Sequence, residues 1–233
     1  MDKFNVWDDV WKNENKLVYP NHIVIDLITK LGIKNVIELG GGSGNDIIEL
    51  NNHGLDVVYS DNSLVAIDKF KKKTNNKIKT IKIDVLGPLP YKSNSFDLVY
   101  SLGLLEHFNK NQRKHIIREM FRISKRYVLI DVPQKYSLFT PVKKLLTLTG
   151  KWKYGWETEF SYGQLINEIM EQNNCKVRVK YGRGFLPLPR YIREKFYKRL
   201  LTHGVSDKYL KIQRKFSFGM FNCIGVLLEK RDS

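Results

Sequence analysis

A carboxylate beside a run of glycines is the part of this sequence best suited to chemistry. A short apolar run ends at Glu38, and glycine then fills four of the five positions 40–44. Glycine accepts a positive φ and has no Cβ, so such a turn can bend sharply and let a ligand touch the backbone. A carboxylate at this place attracts an ammonium group and repels a pyrophosphate. The pattern therefore favours a ligand-binding turn, and the alternative is a plain strand-to-helix turn with many glycines.

A second acid follows the next predicted strand. Asp61 comes directly after the run 55–60 and can accept hydrogen bonds from both hydroxyls of a ribose. The alternative is that this segment only starts a helix, because Asn62 or Ser63 is a suitable N-cap. Both interpretations can hold, since a helix cap and a ribose contact use different residues.

A third acid closes the run 80–85, which we interpret as the third strand. Asp84 and Val85 stand at its end, before Gly87-Pro88. Asp84 could therefore be a binding residue or a solvated acid in a turn. Nucleotide-like ligands bind at the carboxyl ends of such strands, which favours the first interpretation.

Residues 36 to 107 resemble the class I S-adenosylmethionine-dependent methyltransferases, in particular small-molecule enzymes similar to methyltransferase type 11. The first turn has the form E-x-G-x-G-x-G, and the second strand ends in D-x-S. Residues 89–101 match L-P-F-x-x-x-S-F-D-x-V-x-S nearly position by position. The dinucleotide pattern G-x-G-x-x-G fails, because Asn45 stands at its third glycine. The resemblance implies S-adenosylmethionine as the cofactor.

The resemblance also implies a role for each of these positions. The acid and glycines of the first turn would hold the methionine portion of the cofactor, and Asp61 its ribose. Asp84 would meet the adenine amino group, and the backbone N–H of Val85 a ring nitrogen. The implied cofactor residues are Glu38, Gly40, Gly42, Gly44, Asp61, Asn62, Asp84, Val85 and Ser101.

The residues after the fourth predicted strand lie where the methyl group points in the resembling family. His107 is the candidate base, because histidine titrates near neutral pH and could accept a proton from a substrate hydroxyl. The alternative is that it only shapes the pocket. Some members bind a metal through E-x-x-E-H, but Gly103 takes the first of those positions here. One acid and one histidine make a poor divalent site, so we expect no metal.

The expected methyl acceptor is a small or lipid-linked molecule methylated on oxygen. Residues 101–104 lack the N/D-P-P-Y type of motif carried by the DNA amino-methylating members. The cysteine pairs of carbon-5 base methylation are missing as well. RNA is the second choice of acceptor. A third interpretation, from another class, is a non-catalytic cofactor-binding partner subunit.

Positive charge dominates the composition and is unevenly distributed. The net charge is +16, and basic residues concentrate in 69–82 and 185–215. Such a field attracts RNA, an anionic membrane surface or phosphorylated substrates. For 69–82, a solvated helix surface is the preferred alternative. No apolar run reaches the roughly 18 residues of a membrane span, and the two cysteines fit reduced thiols. We expect a cytoplasmic protein, with peripheral attachment to the membrane surface as an option.

The fold class is predicted as α/β, with a Rossmann-like seven-stranded, mostly parallel sheet and helices on both faces. Alternating strands and helices predict parallel strands joined by right-handed crossovers. The resembling family adds the strand order 3-2-1-4-5-7-6, with the last strand antiparallel. We expect strands near 35–39, 55–60, 79–83, 96–101, 126–132, 176–181 and 221–229.

The whole chain, 1–233, is expected to form one such domain with three additions. A helical cap occupies 1–35, and two substrate-side insertions span 133–160 and 182–220. Connections of this length are usually functional. The basic run 190–201 could lie on a membrane or pack on the domain. The candidate substrate contacts in the cap and the first insertion are Tyr19, Trp152 and Trp156.

Overall fold

Seven strands form one sheet in the computed structural model, which describes residues 3–13, 20–137, 139–185 and 221–231. Their order is β3-β2-β1-β4-β5-β7-β6. The first five strands run parallel, and β7 is antiparallel to both of its neighbours. The strands are β1 (Asn35–Leu39), β2 (Asp56–Asp61), β3 (Lys79–Lys82), β4 (Phe96–Leu102), β5 (Ser124–Pro133), β6 (Cys175–Phe185) and β7 (Phe221–Lys230).

Helices cover both faces of this sheet. They are α1 (Lys3–Asn13), α2 (His22–Thr29), α3 (Asn45–Asn52), α4 (Leu64–Lys73), α5 (Lys110–Ile123), α6 (Thr140–Leu148) and α7 (Tyr162–Met170), with a 3₁₀ turn at Leu105–His107.

The core divides into two layers because side chains alternate across each strand. Val99 points to the layer that also holds the apolar faces of α5 and α7. Its neighbours Leu98 and Tyr100 point to the layer that holds α2, α3 and α4. The predicted fold class, strand order and antiparallel last strand are therefore confirmed.

The third strand is shorter than the sequence indicated. It ends at Lys82, so Asp84 and Val85 lie in the turn that follows it. The carboxylate of Asp84 accepts a hydrogen bond from the backbone N–H of Leu86 at 3.0 Å. The carbonyl of Asp84 accepts another from the N–H of Gly87 at 3.2 Å. Local bonds of this kind compete with a strand ladder, which explains the early end.

The N-terminal helix α1 packs against α4 through one face. Val10 is buried, and Trp7 and Trp11 are partly buried beside it. The ammonium group of Lys69 on α4 donates to the carbonyls of Trp11 and Lys12 at the end of α1. One lysine of the basic segment 69–82 therefore anchors this helix.

The segment 133–160 contains α6, a helix that the sequence analysis did not predict. Its two ends are joined by a parallel bridge between Gln134 and Phe160. In the segment 182–220, residues 182–185 continue β6, and 186–220 lie outside the described residues together with the basic run 190–201. None of the described helices combines the length and apolar character needed to cross a bilayer. Cys175 and Cys223 are free thiols.

Candidate functional site

The glycine turn between β1 and α3 depends on left-handed backbone angles. Gly40, Gly42 and Gly44 have φ of +68°, +51° and +64°. Residues with a Cβ rarely adopt this region. Neighbouring side chains also crowd the turn, since a Cβ on Gly42 would stand 2.5 Å from the ring of Trp11. The helix α1 therefore closes over the turn.

The second strand supports this turn from the neighbouring position in the sheet. The backbone N–H of Gly41 donates to the carbonyl of Ser60 at 2.9 Å. The hydroxyl of Tyr59 donates to the carbonyl of Gly42 at 2.7 Å. These bonds fix the position of the turn relative to the acids at the strand ends.

Glu38, near the end of β1, is a buried carboxylate with an open acceptor. It is 3% exposed, and its Oε2 has no partner of normal hydrogen-bond geometry among the described residues. Burial, reinforced by the nearby charge of Asp46, holds the pKa of Glu38 well above its usual range, although the hydroxyl of Tyr100 beside it acts in the opposite direction. A cationic ligand group would supply the missing hydrogen bond and counter-charge together.

Asp46, in the first turn of α3, is a second acid beside Glu38. It accepts a hydrogen bond from the backbone N–H of Asn21, the N-cap of α2. Burial raises the pKa of Asp46. The sequence analysis did not select Asp46, although an acid directly after the glycine turn was the available signal.

Asp61, the last residue of β2, ties the glycine turn to the start of α4. One carboxylate oxygen accepts from the N–H of Gly42 at 2.9 Å, and the other accepts from the N–H of Ser63 at 2.8 Å. Burial nevertheless raises the pKa of Asp61. Ser63 is the N-cap of α4, which confirms the helix start; Asn62 lines the cavity, and the ribose contact of Asp61 stays a prediction.

A cavity of about 600 Å³ runs along the carboxyl edge of the sheet. On its β1–β3 side it is lined by the acids Glu38, Asp46, Asp61 and Asp84, with Gly40, Gly42 and Val85. On its β4–β7 side the cavity is lined by residues from the segment after β4, from β6 and β7, and from the segment 133–160. Those that the argument uses are Glu106, His107, Lys143, Trp152, Glu157 and Arg183.

His107 lies in this cavity, as the sequence predicted for a candidate base. Its Nδ1 is 3.3 Å from the carbonyl of Trp156, and a carbonyl can only accept, so the proton is assigned to Nδ1. The lone pair on Nε2 is thereby free. The ring packs edge-on against Trp7 at 4.7 Å between centroids. Burial lowers the pKa of His107 to about 4, so the ring is neutral at physiological pH and holds a proton weakly.

Glu106, next to His107 in the 3₁₀ turn, is a second buried carboxyl with an open acceptor. It is 3% exposed, and its Oε2 has no hydrogen-bond partner among the described residues. Its Oε1 is 3.9 Å from Nε2 of His107. Burial raises the pKa of Glu106 to about 8. The sequence analysis noted this residue only as part of the E-H pair.

Both basic side chains on the β4–β7 side are held by acids. The ammonium group of Lys143 is 2.6 Å from Glu157 and 3.1 Å from Glu159. The guanidinium of Arg183 contacts the fully buried Asp131, with Nε 2.9 Å from each carboxylate oxygen. Sequence reasoning missed both groups, because each joins residues that only the tertiary fold brings together.

The remaining predicted site residues differ in where they lie. Gly44 caps α3, and Ser101 is fully buried in β4; neither lines the cavity. Trp152 lines the cavity, whereas the ring of Trp156 is 63% exposed and lies outside it. Only the carbonyl of Trp156 reaches the site, through His107. Tyr19 lies outside the described residues.

The described residues hold no group of three or more histidines, cysteines, aspartates or glutamates that could bind a metal ion.

A family model described as a methyltransferase domain matches residues 36–126 of the chain. This match spans β1 through the start of β5, and so includes the glycine turn, Asp61, Asp84 and His107. No curated protein sequence matches the chain significantly.

Solved structures share the fold over nearly the whole chain at low sequence identity. One chain from the complex of the Haloferax volcanii Trm112 methyltransferase activator with a methyltransferase has a TM-score of 0.64 at 16% identity, covering 100% of this chain and 97% of that chain. Magnesium protoporphyrin IX methyltransferase from Synechocystis, with bound SAH, has a TM-score of 0.61 at 14% identity, covering 98% and 94%. A SAM-dependent methyltransferase from Archaeoglobus fulgidus has a TM-score of 0.59 at 11% identity, covering 98% and 100%.

The region that the family model matches contains the glycine turn and the motifs that follow it. The sheet has the strand order that the resemblance implied. Residues 36–126 therefore match a methyltransferase domain, and the chain shares its fold with S-adenosylmethionine-dependent methyltransferases, one of them solved with bound SAH.

Proposed function

We propose that this chain transfers a methyl group to a small or lipid-linked molecule. The observation that carries this proposal is the single cavity of about 600 Å³ that the two groups of residues share. The cofactor would occupy the β1–β3 side and the acceptor the β4–β7 side. A cavity of this size suits small ligands.

The residues on the β1–β3 side fit the cofactor that the family uses. The open Oε2 of Glu38 would accept from the ammonium of its methionine portion, which lies against the backbone of Gly40 and Gly42. Asp61 already accepts two backbone hydrogen bonds, and its remaining lone pairs would serve the ribose hydroxyls. Asp84 and the backbone N–H of Val85 would hold the adenine.

When bound, the cofactor supplies an activated methyl group on its sulfonium, so the protein must orient the acceptor and exclude water. Burial of Glu106 and the partial burial of His107 supply the dry environment on the β4–β7 side. The free Nε2 lone pair of His107 could accept a proton, and its role as a base stays a prediction. A dry acceptor site beside the cofactor residues supports an enzyme over a non-catalytic cofactor-binding subunit.

A lipid-linked acceptor is favoured by an exposed apolar surface beside the cavity. Five of the seven large apolar side chains that are exposed among the described residues lie in 133–160. Three of them, Val142, Leu145 and Leu148, share one face of α6, while Lys143 on another face reaches the cavity. The exposed charged residues of this segment are lysines: Lys135, Lys144, Lys151 and Lys153.

We propose that this α6 surface contacts an anionic membrane, because interfacial helices combine an apolar face with flanking lysines. The test is co-sedimentation with phosphatidylcholine vesicles that contain or lack phosphatidylglycerol. The protein should bind the anionic vesicles, and less at high salt. The double variant Leu145→Gln/Leu148→Gln should lose binding, while Leu64→Gln, which changes an exposed leucine on α4, should keep it. Equal binding by both variants, or none by the wild type, would contradict the membrane contact.

RNA remains the second choice of acceptor, and one experiment separates it from the first. The protein is incubated with methyl-labelled S-adenosylmethionine and a cell extract, which is then divided into small-molecule, lipid and RNA fractions. We expect label in the small-molecule or lipid fraction. Label confined to RNA would favour the alternative, and label in no fraction would contradict methyl transfer by this chain.

A further inference from the structure

Resting on the proposed function, we infer that the methyl acceptor is an amine, whose ammonium form Glu106 binds on the β4–β7 side of the cavity. The inference depends on three properties of this side: the pairing of its basic groups, the open carboxylate of Glu106, and the aromatic side chains around it.

The basic side chains that the structure describes on this side are already neutralised. Lys143 is bound by two glutamates, Glu157 and Glu159. Arg183 is bound by Asp131 through three contacts of 2.8–2.9 Å. To gain a counter-charge, an acceptor with a carboxylate or phosphate would have to disrupt the ion pairs of Lys143 or Arg183. The described residues therefore disfavour an anionic acceptor.

Glu106 has the opposite property, because no lysine or arginine among the described residues forms an ion pair with it. Its closest basic atom is Nε2 of His107, at 3.9 Å from Oε1, and that ring is neutral. Glu106 lines the cavity, and its Oε2 is buried and accepts no hydrogen bond from the described residues. An N–H donor with a positive charge satisfies the open acceptor and also supplies the counter-charge that allows this carboxyl, which burial otherwise keeps protonated, to ionise. A neutral hydroxyl satisfies only the first.

Aromatic rings line the same part of the cavity and suit a cation. Trp152 already carries one, since the ammonium of Lys143 lies 5.4 Å from its ring centroid. Ring faces attract ammonium groups and also cover their apolar substituents. Apart from His107 and from Trp11, which lies over the glycine turn, the aromatic residues in the lining are Trp7, Phe108, Phe139, Trp152 and Tyr154.

Binding by Glu106 also provides the proton transfer that an amine needs before it can react. The ammonium nitrogen gives one proton to Oε2, which leaves a neutral amine with a free lone pair and a neutral carboxyl. The neutral amine R–NH₂ would then form a bond to the methyl group as the methyl–sulfur bond of the cofactor breaks, giving R–NH₂–CH₃⁺ and S-adenosylhomocysteine. The proton on Glu106 would return to water when the product leaves. The sequence analysis placed oxygen first as the nucleophile; the charges on this side favour nitrogen instead.

The test is a binding experiment and does not depend on turnover. The protein is saturated with S-adenosylhomocysteine, and thermal shift and calorimetry then compare shape-matched sets of amines, alcohols and carboxylates. One such set is phenethylamine, 2-phenylethanol and phenylacetate. We expect binding to concentrate among the amines. In Glu106→Gln their affinity should fall at least about tenfold, the cost of a charge-assisted hydrogen bond.

Two further variants complete the design. Glu49→Gln removes a glutamate on α3 outside the cavity and should leave amine binding unchanged. Glu106→Asp keeps a carboxylate and should keep the preference for amines at lower affinity, which covers the case that Glu106→Gln does not fold. Binding of alcohols or carboxylates as tight as that of amines, amine binding unaffected by Glu106→Gln, or no amine binding would overturn the inference. Failure to bind S-adenosylhomocysteine would instead overturn the proposed function, and this inference with it.

Discussion

Glu106 shows at the scale of one residue how an unfilled site costs stability. A carboxyl that burial keeps from ionising binds its proton more tightly in the folded chain than in the unfolded chain. The groups that face it include both signs of charge: Glu157 and Asp131 raise its pKa, Arg183 lowers it, and His107 and Cys223 are neutral neighbours. Burial is the largest cause.

The stability of the protein should therefore depend on pH through Glu106. The pKa of Glu106 rises from 4.5 to about 8 on folding. Between these values the folded chain binds more protons, so its stability falls as pH rises and levels off above pH 8. Urea denaturation at pH 5 and pH 9 measures this. We compare the unfolding free energy of Glu106→Gln with that of the wild type at each pH. The difference, variant minus wild type, should be at least about 1 kcal/mol larger at pH 9 than at pH 5.

The same measurement on Glu49→Gln is the control, and that variant should follow the wild type at both pH values. If Glu106→Gln loses stability with pH as steeply as the wild type in this interval, folding does not raise the pKa of Glu106 as we assign.

At the scale of elements, α1 and the glycine turn depend on each other. Gly42 combines a φ of +51° with a Cβ position 2.5 Å from Trp11. Gly54 has a φ of +83° but nothing within 4 Å of its Cβ position. Substitutions at the two glycines therefore distinguish the cost of a positive φ from the cost of a steric clash with Trp11.

Gly54→Ala should cost about 1 kcal/mol of unfolding free energy, because alanine disfavours positive φ. Gly42→Ala should cost more, since it must also displace Trp11 and with it α1. Urea denaturation measures both. Affinity for S-adenosylhomocysteine should fall in Gly42→Ala and stay unchanged in Gly54→Ala. Equal effects of the two substitutions would show that α1 does not depend on the turn.

Most elements could be predicted from the sequence, because strong local signals agreed with the fold. The strands expected near 35–39, 55–60 and 96–101 are examples, and the structure confirms them as β1, β2 and β4. The helix α6 was missed because none of its residues is buried, so no apolar face packs on the sheet. The third strand was predicted to extend too far, because the carboxylate of Asp84 accepts a hydrogen bond from the N–H of Leu86 within the following turn.

At the scale of the whole molecule, charge is separated between the surface and the cavity. The chain carries a net charge of +16, yet seven acidic and two basic residues line the cavity. Composition alone suggested anionic partners, since a total charge does not say where each sign lies. The acids at the strand ends could be predicted because motifs fix their positions. The groups around Lys143 and Arg183 could not, because they join residues distant in sequence.

Titration calorimetry with S-adenosylhomocysteine tests the central claim most directly. We predict that the wild type binds one molecule per chain and that Asp61→Ala binds it at least about tenfold more weakly. Asp68→Ala, which removes an exposed acid on α4, should bind like the wild type. The absence of any binding to the folded wild type would contradict the account, and unchanged affinity in Asp61→Ala would contradict the assignment of the site.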